Sequence, residues 1–268
     1  MNYDRYTKDP KNSALFNGNA TSMGGNGEPD PRYTGLRTSG GLMKSGGGGG
    51  CVTEGPFKEY VFSLSLFFLF LFFFLDRNTP FLLPCRMNDL LFCSYRANIG
   101  PGAPVMNNVP KNPVAGGYGF NPRCMRRDIN VNAALGATAD RSYNLITKSK
   151  DINTFYNTLL TPPRNASDPY NWGIHTSGHY ISGGDPGGDP MVSPGDPIFY
   201  FHHAMLDRLW WIWQMQDPDT RINAQVTLGG TGSNRKVDLK WLMPDVVPVL
   251  EAHDGLGGFG GKFCHVYV

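Results

Sequence analysis

Between Asp196 and Pro218 the chain spells out one helix with both of its ends marked, and no other stretch constrains the fold as tightly. Asp196 has the short acceptor side chain of an N-cap, and Pro197 at the first helical position gives up no needed hydrogen bond. Over Pro197–Gln216, the residues Phe199, His203, Leu206, Trp210 and Trp213 recur at three- and four-residue spacing, which predicts a shared face. Asp217-Pro218 closes the element, because proline disfavours helical geometry in the residue before it. A second helical pattern runs near Ser149–Leu160, where Asp151, Phe155, Leu159 and Leu160 set out a partly apolar face.

The helix matters for what it carries. There are six histidines, His175, His179, His202, His203, His253 and His265, and none precedes position 175. His175 and His179 are four apart, so a helix places both imidazoles on one side, close enough to share a metal. An HxxxH pair alone arises often by chance. His203, in the aromatic helix, adds a third imidazole and has Asp207 one turn later. A ligand histidine needs an acceptor to fix its tautomer, and a carboxylate is the usual choice. Asp207 is placed for that role, or for pairing with Arg208 or another cation to brace the helices. The competing reading makes all of them buried polar residues satisfied by backbone groups. Three imidazoles on two helical segments favour a metal, and imidazole suits copper and zinc alike, with affinity alone favouring copper.

His175-Thr-Ser-Gly-His179, followed by Asp196-Pro-Ile-Phe-Tyr-Phe-His-His203-Ala-Met-Leu-Asp207-Arg208-Leu-Trp, resembles the CuB half of the tyrosinase and catechol oxidase family. The family pattern is HxxxH, then DPxFxxHHxxxDRxWxxWQ, and Trp213-Gln214 completes it here. The stretches KDPKNSALFNGNATSMGGNG, GGGCVTEGPF, NPRCMRRDIN and GGKFCHVYV are similar to fungal members, so the likeness covers residues 1–60 and 97–268. It implies a mainly α fold: a truncated type-3 copper-protein helical core with long loops and few short strands. It implies one copper ion, CuB-like, on His175, His179 and His203, since the ligand in the family's double histidine is the second, which leaves His202 to packing. Cys51 and Cys124 fall in two of the matching stretches, and a disulfide between them and a pair of free buried thiols both stay open.

Family members bind O2 between two coppers, each held by three histidines, and oxidise phenols or o-diphenols to o-quinones. The resemblance therefore implies a small phenolic substrate and O2 for the full-length parent. With no histidine before His175, and His253 and His265 out of place, the N-terminal CuA half is expected to be absent and the chain inactive alone. Thr176 follows the first ligand where monophenol-hydroxylating members often carry Asn, which points the parent towards diphenol oxidation. The alternatives are a single-metal (copper or zinc) binding protein without redox turnover, and a membrane-anchored protein.

The membrane alternative rests on Val61–Leu75, VFSLSLFFLFLFFFL, which is shorter than the roughly 20 residues a spanning helix needs. We read 61–96 instead as a Phe/Leu-rich insert, a translated intron. Phe, Leu and Ser have pyrimidine-rich codons, and excision of Phe62–Arg96 would leave the smooth loop sequence GPFKEYVANIGPG. Elsewhere, 34 glycines, 21 prolines and 13% aromatics predict a loop-rich globular chain. Residues 1–50 are expected to be irregular, without helix or strand. The net charge of +2 gives no nucleic-acid surface, and the five cysteines form no CxxC pair. The polar opening Met1-Asn-Tyr-Asp-Arg is not expected to be a signal peptide.

Overall fold

The computed structural model describes residues 8–38, 41–62, 108–109, 121–160, 168–189, 192–222 and 224. Within them the architecture is a helical core flanked by short strand pairs. The helices are α1 (Val131–Ala134), α2 (Ala139–Lys148), α3 (Ile152–Leu160), α4 (Ile174–Ser182), α5 (Ile198–Met215) and α6 (Pro218–Arg221). Three antiparallel pairs join β1 (Gly27–Pro29) to β4 (Gly49–Val52), β2 (Gly35–Thr38) to β3 (Gly41–Lys44), and β5 (Val61–Phe62) to β6 (Arg123–Cys124).

The long helix forms where its end signals place it. The Ile198 N–H donates to Asp196 Oδ1 at 3.0 Å, meeting one of the donors that a helix start leaves unpaired. At its far end α6 begins directly at Pro218. Its buried stripe, however, is Ile198, His202, Leu206, Leu209 and Trp213, one residue out of phase with much of the predicted face. Phe199, His203 and Trp210 are only partly covered. The aromatic content made the apolar sector too wide to locate from spacing, and neighbours decide it. Trp213 packs on Phe155 of α3 with ring centroids 5.1 Å apart, and its indole N–H donates to the Ser149 carbonyl at 2.8 Å. Near Ser149–Leu160 the predicted helix is α3, started by Asp151, whose Oδ1 accepts from the Thr154 N–H at 2.8 Å.

The N-terminal stretch is not irregular, as its composition suggested. It holds β1 to β4 and a 3-10 turn at Pro10–Asn12. These strands escape pattern reading because several of their contacts are backbone on backbone: a Cβ at Gly27 would collide with the carbonyls of Gly50 and Arg127. The glycine run has a similar reason. Ser45 Oγ and the N–H groups of Gly46 and Gly48 donate to Asp128 Oδ1 at 2.8, 2.8 and 3.0 Å, wrapping the chain round a buried carboxylate. Leu36 and Met43, opposite each other in the β2–β3 pair, join Phe16, Tyr33, Ile129, Leu145, Phe155, Ile181 and Trp213 in one core.

Cys51 and Cys124 are joined by a disulfide, with Cα atoms 5.6 Å apart. Bridging a sequence separation of 73 restricts the unfolded chain and contributes about 2–4 kcal/mol. No helix among the described residues is long and apolar enough to cross a membrane. Beyond the strand at Val61–Phe62, the Phe/Leu-rich insert lies outside the described residues, as do His253 and His265.

Candidate metal centre

Two helices build the centre. α4 is bracketed by Gly173 at φ 81° and Gly183 at φ 54°, left-handed positions that side chains with a Cβ rarely adopt. It buries Ile174, Ser177, Gly178 and Ile181 and leaves His175 and His179 partly exposed towards α5. The two Nε2 atoms stand 3.3 Å apart. Two nitrogens each about 2.0–2.1 Å from one ion, at the tetrahedral angle, are separated by about 3.3–3.4 Å. The pair is thus preset at the spacing a shared ion requires.

α5 is anchored by a buried ion pair. Arg127 Nε and Nη2 donate to Asp196 Oδ2 and Oδ1 at 2.9 and 2.6 Å, with both side chains fully buried. Arg127 also donates to the Met23 carbonyl and lies over the Phe16 ring. This fixes the first turn of α5, and the double histidine follows on the second. His203 brings its ring centroid to 5.4 Å from His175 and 5.3 Å from His179. Its Nδ1 hydrogen bonds with the Phe199 carbonyl at 2.9 Å, and Phe199 stacks on the ring at 3.9 Å. The Nδ1 proton is thereby assigned and the Nε2 lone pair left for a metal. That acceptor lies one turn back along the helix; Asp207, one turn forward, is half-buried and Arg208 exposed.

His202 is the most buried of the four, 3% exposed. Its Nε2–H donates to the His175 carbonyl at 2.9 Å, tying α5 to α4. The ring edge is seated on Gly178, where an added Cβ would overlap Cε1 and both nitrogens. Among the described residues, the ligand atoms that gather within 4.8 Å of one another belong to His175, His179 and His202. Sequence reasoning took His202 for packing and passed over Gly178; the only signal was a glycine placed, against helix propensity, inside an HxxxH turn. Gly178→Ala is expected to cost about 1–3 kcal/mol by overpacking and to weaken metal binding about 10–100-fold. Titration of the purified variant checks this, and an unchanged affinity would mean that this seat does not set the register of the helices.

Burial decides the protonation of the cluster. Desolvation, then the neighbouring His203, lowers the His175 pKa from 6.5 to about 4. Desolvation, then His175 and His203, takes His179 to about 3, partly opposed by a hydrogen bond to the Gly187 backbone. Burial also lowers His202 and His203. All four imidazoles are neutral at pH 7, the form that donates to metals. For the metal-stripped protein the sign follows directly. Between about 6.5 and 4 the unfolded chain binds protons that the folded chain does not, so stability is full above pH 6.5 and falls on acidification. Denaturant titrations from pH 7.5 to 4 should show that decline, and a gain in stability on acidification would contradict it.

Imidazoles from two packed helices thus form a cluster in a helical core that could hold a metal ion. A family model described as the common central domain of tyrosinase matches residues 2–216, and the chain belongs to the tyrosinase family. Tyrosinase-like protein orsC of Emericella nidulans is 40% identical over 126 residues, 46% of this chain and 30% of that protein. Tyrosinase P of Aspergillus terreus is 29% identical over 268 residues, 95% of this chain and 63% of that protein. A solved structure of a polyphenol oxidase variant from Thermothelomyces thermophila superposes with a TM-score of 0.54 at 31% identity, over 81% of this chain and 49% of that one. The chain thus spans less than two thirds of each of these relatives. Phenolic substrates and O2 are the chemistry of that family as a whole.

Proposed function

We propose that this chain supplies the CuB-type half of a polyphenol oxidase, holding one copper ion on His175, His179 and His203. The observation that carries the reading is the 3.3 Å separation of the His175 and His179 Nε2 atoms, with His203 beside them and its Nδ1 committed to a backbone carbonyl. Bound copper supplies the one-electron redox chemistry towards O2. The chain's own part is to present neutral nitrogens, fix their tautomers and exclude water behind the cluster.

Two such ions are needed to deliver the two electrons of the oxidase reaction, and no histidine of this sequence precedes His175. Our reading is therefore of a domain, residues 1–60 and 97–268, that binds copper without turning over alone. Residues 61–96 are an insert of intronic origin, which transcript sequencing checks. For the full-length parent we infer diphenol oxidation. The Thr176 hydroxyl donates to the Leu160 carbonyl at 2.8 Å, so its proton is already engaged and not offered to a water beside the copper.

Metal analysis and a catechol oxidation assay test the proposal together. One copper per chain with no quinone formed is the expected result. Two coppers with quinone formation would replace half a site with a whole one. Retention of zinc in preference to copper would favour a metal-binding protein without redox turnover.

A further inference from the structure

One surface loop takes no part in the metal chemistry. Between Leu15 and Met23 the chain leaves the core and returns to it, closed by the Met23 N–H donating to the Leu15 carbonyl at 2.7 Å. Phe16 and Ser22 are buried and pin the inner side of this loop. Asn17, Asn19, Ala20 and Thr21 are exposed on its outer side. The tip is a turn in which the Asn19 carbonyl accepts from the Ser22 N–H at 2.9 Å and from the Ser22 hydroxyl at 2.7 Å. The Asn19 N–H donates to Asn17 Oδ1 at 3.1 Å, so the backbone of Asn19 is held on both sides while the residue stays open to solvent. The loop is seated on the segment that follows Cys51: the Gly25 N–H donates to the Glu54 carbonyl, and a Cβ at Gly18 would strike the Glu54 side chain.

Asn19-Ala-Thr21 is an N-x-[S/T] triplet without proline in the middle, the acceptor pattern for an N-linked oligosaccharide. Such triplets arise often by chance, and two observations give this one weight. Both positions the pattern requires, Asn19 and Thr21, lie exposed on an anchored turn, where a bulky polar sugar displaces nothing of the core. The Cys51–Cys124 disulfide is of the kind that forms and persists in an oxidising compartment, and oligosaccharide transfer takes place in such a compartment. The other triplet of this pattern, Asn165-Ala-Ser167, lies outside the described residues.

We propose that Asn19 is an N-glycosylation site and that this chain matures in the secretory pathway. The carboxamide nitrogen of Asn19 bonds to the anomeric carbon of a lipid-diphosphate-linked oligosaccharide. The bond from that carbon to the phosphate oxygen breaks, the nitrogen gives up one proton, and the lipid diphosphate leaves.

Peptide mass spectrometry tests the assignment on two preparations of the full chain. One comes from the cells that produce it, the other from a yeast host that secretes it behind a leader. Tryptic cleavage after Lys11 and Arg32 releases a peptide in which only Asn19 has the acceptor pattern. Peptide N-glycosidase in heavy-oxygen water should turn Asn19 into a heavy-oxygen aspartate in both preparations, a label that spontaneous deamidation at Asn17-Gly18 or Asn26-Gly27 before digestion does not carry. In the yeast host, Thr21→Ala should abolish the carbohydrate and Thr21→Ser retain it, with metal affinity unchanged in both. An unmodified Asn19 in either preparation, or carbohydrate persisting on this peptide in Thr21→Ala, would overturn the assignment.

Discussion

Asp196→Ala is expected to cost the domain about 3–5 kcal/mol and to abolish metal binding at micromolar concentrations. One carboxylate does two things here. It neutralises Arg127, whose guanidinium is fully buried, and it accepts from the Ile198 N–H at the start of α5. Removing it strands a buried cation, the costly way to break such a pair. It also removes the cap, worth about 1 kcal/mol. A typical domain has only about 5–15 kcal/mol to lose. The metal site fails with it because His202 and His203 sit on the second turn of the helix that Asp196 starts. Urea denaturation and metal titration of the same variant measure both effects. Arg127→Met combined with Asp196→Asn removes both charges and keeps a capping oxygen, so it should be milder than Asp196→Ala alone. A single-variant loss below about 1 kcal/mol with unchanged metal affinity would show that the ion pair does not hold the site.

The contrast between Asp196 and Arg127 shows what a sequence read alone can and cannot yield. Asp196 was legible as a cap because capping is local, fixed by the next two residues. Its partner lies 69 positions earlier, and no spacing rule connects them. His175 and His179 were legible for the same local reason, since helix geometry sets i to i+4 neighbours. The packing of His202 on Gly178 was not, because it depends on the crossing of two helices. The rotation of α5 was misjudged by about one residue: a helix with Phe, Tyr or Trp at several positions per turn has no narrow apolar stripe to read. The strands of the first 50 residues were missed because their glycines are selected by backbone approach, which leaves no alternation of apolar and polar side chains. The disulfide was suggested only by the resemblance of the stretches around Cys51 and Cys124, and the fold brings the two together.

His179→Ala should separate binding from folding, with a large loss of metal affinity and little loss of stability. Metal binding at sites of three or four nitrogen or sulfur ligands is worth about 10–16 kcal/mol in all, so one ligand contributes about 3–4 kcal/mol. That corresponds to an affinity lower by about two to three orders of magnitude. Without metal the variant should be nearly as stable as the wild type. His179 is partly exposed and is held neutral by burial and by its neighbours, so its removal takes away chiefly the hydrogen bond to the Gly187 backbone, about 1 kcal/mol. With metal at about 100 times the wild-type dissociation constant, the wild type gains about 2.7 kcal/mol by linkage, and the variant should gain less than half of that. The decisive quantity is the difference between melting temperatures with and without copper(I), measured for both proteins. If the variant is destabilised equally in the two conditions, His179 is a packing residue; if the metal-dependent part alone disappears, it is a ligand.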